Sequence, residues 1–325
     1  MEVGVTCWSA DRAKLQLIKE LGCKEFYSTV EWCNVHKAPD MYNWSQLDSE
    51  FRSEEELGLK SIRCILHTPV WASGVDPSNC KFRPITYPPR TLEYYGRFCA
   101  ALVNRYPGRT WVLWGEPDNF PPREDPKVIQ WAGDVETYVK MVKFAYVEMK
   151  KTDPNCLISL GSLVGATLNG EFPTVVENGN VLNKLSFFEE MLKLNIGEYC
   201  DVISIDLYCY GYGKIPNFTV GIRKIKELMA KYGIKKPIYI TETGAKITPL
   251  NGKIMKEFNH EAVSEETQSG FLMKSYKIAQ NAKIQKMFWH TLQSSEWGLV
   301  NRFGKKHLSY YAFRAIQRGI LDEED

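Results

Sequence analysis

Eight times along this chain a short run of β-branched, aromatic or other apolar residues gives way to a longer segment with helical apolar spacing. Runs of the first kind suit a covered, pleated strand, and segments of the second kind suit a helix with one buried face. Strands are expected at 3–8, 25–30, 61–67, 111–114, 157–160, 202–207, 237–241 and 286–289. Helices are expected near 11–21, 47–57, 91–106, 135–151, 185–194, 221–232, 264–282 and 309–319. Ser264 is placed to cap the seventh of these, with Glu265 and Glu266 in the first turn where the helix dipole favours anions. Alternation at this count predicts an α/β fold, a closed (β/α)8 TIM barrel, rather than an open doubly wound sheet. No shift in composition marks a second domain, so residues 1–325 read as one barrel. No glycine-rich phosphate motif follows any strand, which argues against a nucleotide site.

Charge narrows the partners. The 41 basic and 39 acidic residues leave a net charge of +2, with no block of one sign, so neither nucleic acid nor an anionic membrane is an expected partner. No run approaches the roughly 20 apolar residues of a membrane span. The nine cysteines lack metal-ligand spacing, and an odd count cannot pair completely. Cys7, Cys64 and Cys209 fall in expected strands as small apolar fillers, which favours a reducing compartment. The first residues show no basic segment followed by a long apolar one, so a cytoplasmic location is expected, with secretion the alternative if a leader has been trimmed. The five histidines are scattered, without HxH or HExxH, so no metal and no other cofactor is expected. Sequence leaves the oligomeric state open.

In a barrel of this kind the residues just past each strand share one mouth. Those residues are Trp8, Trp32, His67 with Trp71 close behind, Glu116, Asp206 with Tyr208, Glu242 and Trp289. Glu116 stands in WVLWGEPDNF, where Pro117 should end the strand and bias Glu116 toward an extended backbone. Glu242 ends the run PIYITE ahead of Thr243-Gly244. Strands four and seven therefore each finish in a carboxylate, nearly opposite one another across an eight-stranded ring. Two carboxyl groups facing across a cleft are the minimum equipment for glycoside hydrolysis. Tryptophan rings at the rim suit the apolar C–H face of a pyranose. Loops 73–89, 120–130 and 246–260 would shape the cleft.

Taken with the segments PDMYNWSQLD, LHTPVWA, DVISIDLYCYG, KKPIYITETGA and FWHTLQSSEWGLVNRF, in that order, the chain resembles the clan A glycoside hydrolases, nearest in pattern to families 39 and 5. The resemblance covers nearly the whole chain. It implies a retaining β-glycosidase acting on an oligo- or polysaccharide, with Glu116 as general acid/base and Glu242 as nucleophile. It further implies that Tyr208 orients the nucleophile, that Trp289 floors the subsite of the cleaved sugar, and that His67 contacts sugar hydroxyls. A carboxylic acid beside apolar rings would stay neutral, while hydrogen-bond donors would keep the other carboxyl ionised.

Three positions depart from that pattern. Gly115 replaces the Asn before the acid/base, Tyr27 replaces a strand-two Arg, and Asp206 replaces a strand-six His. These departures admit a sugar that differs at C2, a substitute contact from Asn119, a transglycosylase, or a barrel that only binds glycans.

Overall fold

The computed structural model describes residues 1–119, 129–164, 175–177, 180–182, 184–208, 215–247 and 262–320. Eight strands form the barrel: β1 (Glu2–Thr6), β2 (Glu25–Glu31), β3 (Lys60–Leu66), β4 (Thr110–Gly115), β5 (Leu157–Val164), β6 (Ile203–Asp206), β7 (Ile238–Thr243) and β8 (Lys286–Trp289). Each pairs in parallel with its sequence neighbours, and β1 pairs with β8 through Val3↔Met287 and Val5↔Trp289, which closes the ring. The expected (β/α)8 barrel is the fold.

The helices α1 (Arg12–Glu20), α2 (Ser45–Leu57), α3 (Glu93–Arg105), α4 (Val135–Thr152), α5 (Lys184–Lys193), α6 (Ile215–Lys231), α7 (Glu265–Asn281) and α8 (Leu308–Gln317) follow the strands in turn. Local chemistry sets their ends. Asp11, Asp134 and Ser264 cap α1, α4 and α7 by accepting a backbone N–H three residues on. Gly58 closes α2 at φ 70°, a left-handed position that costs glycine little. Two boundaries differ from expectation by more than two residues. Strand β5 runs on to Val164, and α6 begins at Ile215, six residues early. Cys209 and most of the expected cleft loops 120–130 and 246–260 lie outside the described residues. All eight described cysteines are free, with Cys7 and Cys64 buried.

Between strands and helices lies a charged anchor. Arg63 of β3 is fully buried and pairs with Glu54 and, at 2.6 Å, with Glu50, both on α2. Arg109 adds a contact to Glu54 at 3.1 Å. Among the described residues no group of three or more His, Cys, Asp or Glu side chains is arranged to hold a metal ion. No described helix is long and apolar enough to cross a membrane.

Candidate active site

The carboxyl ends of the strands open into a cavity of about 500 Å³ whose wall includes Trp8, His67, Glu116, Asp206 and Glu242. Strands four and seven supply the two glutamates, as their sequences predict.

The end of β4 does not have the expected shape. Glu116 is not extended: its φ is +48°, and Trp114 two residues earlier has φ +79°. The next three residues fold back on Glu116. The N–H of Asn119 returns to the carbonyl of Glu116 at 2.9 Å, closing a tight turn with Pro117 at its second position, where the fixed φ of proline is favoured. The turn carries Asn119 back onto the carboxyl, where its Nδ2 donates to Glu116 Oε2 at 2.5 Å. Asn119 is buried, and its side chain is bonded to Glu116 rather than being among the residues that wall this cavity.

Around Glu242 the partners come from strand ends on both sides. The Tyr208 hydroxyl, just past β6, donates to Glu242 Oε2 at 2.5 Å. His290, just past β8, places Nδ1 at 3.4 Å from the same oxygen. Tyr208, His290 and Trp297 pack edge to face at 5.7–5.9 Å between ring centres, and Trp8 adds a fourth ring at 5.9 Å from His290. Trp8 is 43% exposed, leaving it free to meet a ligand. Beneath them Asp206 is fully buried and accepts from Thr241 Oγ1 at 2.7 Å. Tyr27, at the expected arginine position, contacts Ser162 Oγ at 3.2 Å inside the barrel.

Burial raises Glu242 to about 8, reinforced by the charge of Glu116 and offset in part by the Tyr208 hydrogen bond. Burial also lifts Asp206 well above the usual carboxylate range, with Glu242 and Glu116 adding to the effect. Donors were expected to keep Glu242 ionised. Instead, loss of hydration and a like-charged neighbour outweigh one hydroxyl.

Three aromatic expectations are corrected. Trp289 is fully buried, with its ring 6.0 Å from Phe271 of α7, so it faces the helix layer rather than the cavity. Successive residues of a strand point to opposite faces, and the mouth belongs to its neighbour His290. Trp32 is fully buried against Tyr95 and Phe98 of α3. Trp71 donates to the carbonyl of His36 at 2.9 Å and packs on Tyr94, away from the cavity wall. His67, in contrast, lines the cavity with its Nδ1 bonded to Glu31. Sequence reasoning missed Glu31, His290, Trp297, Arg83 and Gln130. Glu31 is the last residue of β2, one past the expected strand end, and the others stand beyond a strand end or in a loop whose path no spacing rule gives.

No family model matches this chain, and no curated protein matches it. Solved structures do. A family 39 glycoside hydrolase from the gut symbiont Bacteroides cellulosilyticus WH2 superposes with a TM-score of 0.71 at 18% identity, over 99% of this chain and 64% of that one. A monomeric β-xylosidase from Caulobacter crescentus CB15 gives 0.70 at 14%, over 97% of this chain and 67% of that one. Xylanase 10B from Thermotoga petrophila RKU-1, in complex with xylobiose, gives 0.63 at 15%, over 98% and 94%. The chain thus spans about two thirds of the length of the first two and nearly all of the third. At such identities the likeness is one of fold: the chain shares its (β/α)8 barrel with these glycoside hydrolases.

Proposed function

We propose that this chain is a single catalytic barrel that hydrolyses β-linked glycosides with retention of configuration. One observation carries the reading: Glu116 and Glu242, at the ends of β4 and β7, wall the same cavity and feel each other's charge. Retention needs two carboxyl groups with one proton between them. A pair in which the second charge is strongly opposed holds one proton at neutral pH.

In the reactive arrangement of the pair's single proton, Glu116 carries it and Glu242 is ionised. Glu116 gives the proton to the glycosidic oxygen as the bond to the anomeric carbon breaks, and that bonding pair leaves on the oxygen. Glu242 forms the new bond to the anomeric carbon. Water then attacks that carbon, yields its proton to Glu116 and releases Glu242. Asn119 and Tyr208 hold the two carboxyls through hydrogen bonds, and the exposed ring of Trp8 offers a stacking surface to a sugar.

Replacing either glutamate by Ala should lower turnover of an aryl β-glycoside by at least about 1000-fold, the scale of losing a group made for the transition state. NMR of the first product should show the β anomer. Full activity in both variants, or an α product, would overturn the reading. A barrel that binds glycans without cleaving them is the second reading, favoured by the displacement of Glu242 toward its neutral form. It requires oligosaccharide binding with no turnover at any pH.

A further inference from the structure

Arg83 precedes the short helical turn Pro84–Thr86 and lines the same cavity as Glu116 and Glu242. Its Nη2 donates to the carbonyl of Ile129 at 3.3 Å and to Gln130 Oε1 at 2.8 Å. A guanidinium has five N–H groups, so the three on Nε and Nη1 make no hydrogen bond among the described residues. No carboxylate pairs with it there either, although Arg12, Arg63, Arg105, Arg109 and Arg223 all have acidic partners. A partly buried guanidinium facing a cavity with unused donors is a costly arrangement unless something anionic completes it.

The side chain is also held in place. Its backbone carbonyl accepts from the Thr86 N–H at 2.9 Å and the Thr86 hydroxyl at 2.8 Å. The same turn is pinned to the barrel by Thr68 N–H to Ile85 O at 2.8 Å and by Ala132 N–H to Thr86 O at 2.9 Å. Gln130 is itself anchored, its N–H donating to the carbonyl of Asn119 at 2.8 Å. Arg83 therefore connects through Gln130 and Asn119 to Glu116, and little side-chain freedom remains to be lost on binding. The guanidinium fork matches planar or tetrahedral oxyanions, and its charge is permanent. The carboxyls of the cavity oppose an anion, but burial draws Glu242 and Asp206 toward their neutral forms and softens that field.

We infer that Arg83 is a specificity determinant that binds an oxyanion carried by the carbohydrate, so that the favoured substrate is an anionic glycan, bearing uronic carboxylates or sulfate esters, rather than a neutral one. The inference rests on the glycosidase reading for turnover, but its binding arm does not.

The test uses a β-linked disaccharide with a carboxylate on both rings, its carboxyl-reduced neutral counterpart, and the neutral disaccharide sulfated on both rings. Wild type should show kcat/KM at least tenfold higher for one anionic form than for the neutral one. The preferred form separates carboxylate from sulfate. Arg83→Met should lower the anionic-to-neutral ratio at least tenfold, and Arg83→Lys, which keeps the charge without the fork, should restore part of it. A purely structural Arg83, needed only to hold Gln130, would lower activity on both classes together and leave the ratio unchanged. That result, or a wild-type preference for the neutral sugar, overturns the inference. Calorimetry with the same three sugars covers a protein that proves inactive. An Arg83-dependent preference for the anion without turnover removes the glycosidase reading and keeps this one. Turnover with no preference does the reverse.

Discussion

At the scale of single residues, in the proposed mechanism the one proton held by the pair Glu116 and Glu242 sets the pH range in which the site can work. The active form carries one proton on the pair. Because Glu242 is raised to about 8, first by burial and then by Glu116, that proton is kept until the pH approaches 8. Two ordinary carboxyls would both be ionised by about pH 6. The alkaline limb of kcat/KM should therefore fall near pH 8, and a limb below pH 6 would contradict the geometry. Tyr208 supplies the internal check. Its hydrogen bond favours the ionised form of Glu242, so Tyr208→Phe should move the alkaline limb further up and lower kcat by roughly 10- to 100-fold, the worth of a hydrogen bond to a charged group. The placement of both glutamates and Tyr208 at strand ends was legible in the sequence because a strand that stops at a polar residue announces its end. The rings were not. Trp8, Trp32, Trp71 and Trp289 look alike in sequence, yet only Trp8 lines the cavity, because a one-residue step turns a side chain to the opposite face. Propensity does not say which of Trp289 and His290 looks inward.

At the scale of elements, the placement of Glu116 depends on how β4, β5 and α4 meet. The Tyr138 hydroxyl of α4 donates to Leu113 O of β4 at 2.8 Å and accepts from Gly161 N–H of β5 at 2.9 Å. It joins both strands just before the turn that carries Glu116. Gly161 is required there by contact: a Cβ would lie 2.7 Å from Trp114 O, 2.7 Å from the Tyr138 hydroxyl and 2.9 Å from Leu113 O. Two of these are backbone atoms of the neighbouring strand, which cannot move without carrying Glu116 along. Gly161→Ala should cost about 2–3 kcal/mol, at the upper end for an overpacked core, read as a lower urea midpoint with unchanged slope. It should also reduce kcat, whereas an overpacked site far from the mouth would lower stability alone. Strands and helices themselves were readable because their apolar periods differ and their caps are local. Boundaries that depend on a neighbouring strand were not. β5 continues past Gly161 because Gly115 of β4 pairs with Ser162, a partner that no local signal supplies.

At the scale of the whole molecule, the barrel bears the cost of its own mouth. The parallel ring was predictable from alternation alone, and its closure between β1 and β8 brings carboxyls from the ends of β4, β6 and β7 to the wall of one open-mouthed cavity. Two of these are raised by burial, and the energetic consequence has a definite sign. A carboxyl with a folded value near 8 and an unfolded value near 4.5 binds more protons in the native state throughout that interval. Stability therefore falls as pH rises between the two values. Its contribution is fully present below about pH 4.5 and is lost once the pH has passed about 8. Replacing Glu242 by the neutral isostere Gln removes the charge that must be buried at high pH while keeping the shape. At pH 5 wild type and Glu242→Gln should melt together, since both hold a neutral side chain. At pH 9 the variant should be more stable by a few kcal/mol, or roughly 3–8 °C in Tm, because wild type alone pays for an ionised, poorly hydrated carboxyl. Thermal unfolding followed by circular dichroism across this range measures the difference directly. A gap that stays constant from pH 5 to 9 would mean that Glu242 is an ordinary solvated carboxylate. A widening gap, in an enzyme that Glu242→Gln has inactivated, would identify the site as one where stability is given up so that two glutamates can stand close enough to share a proton.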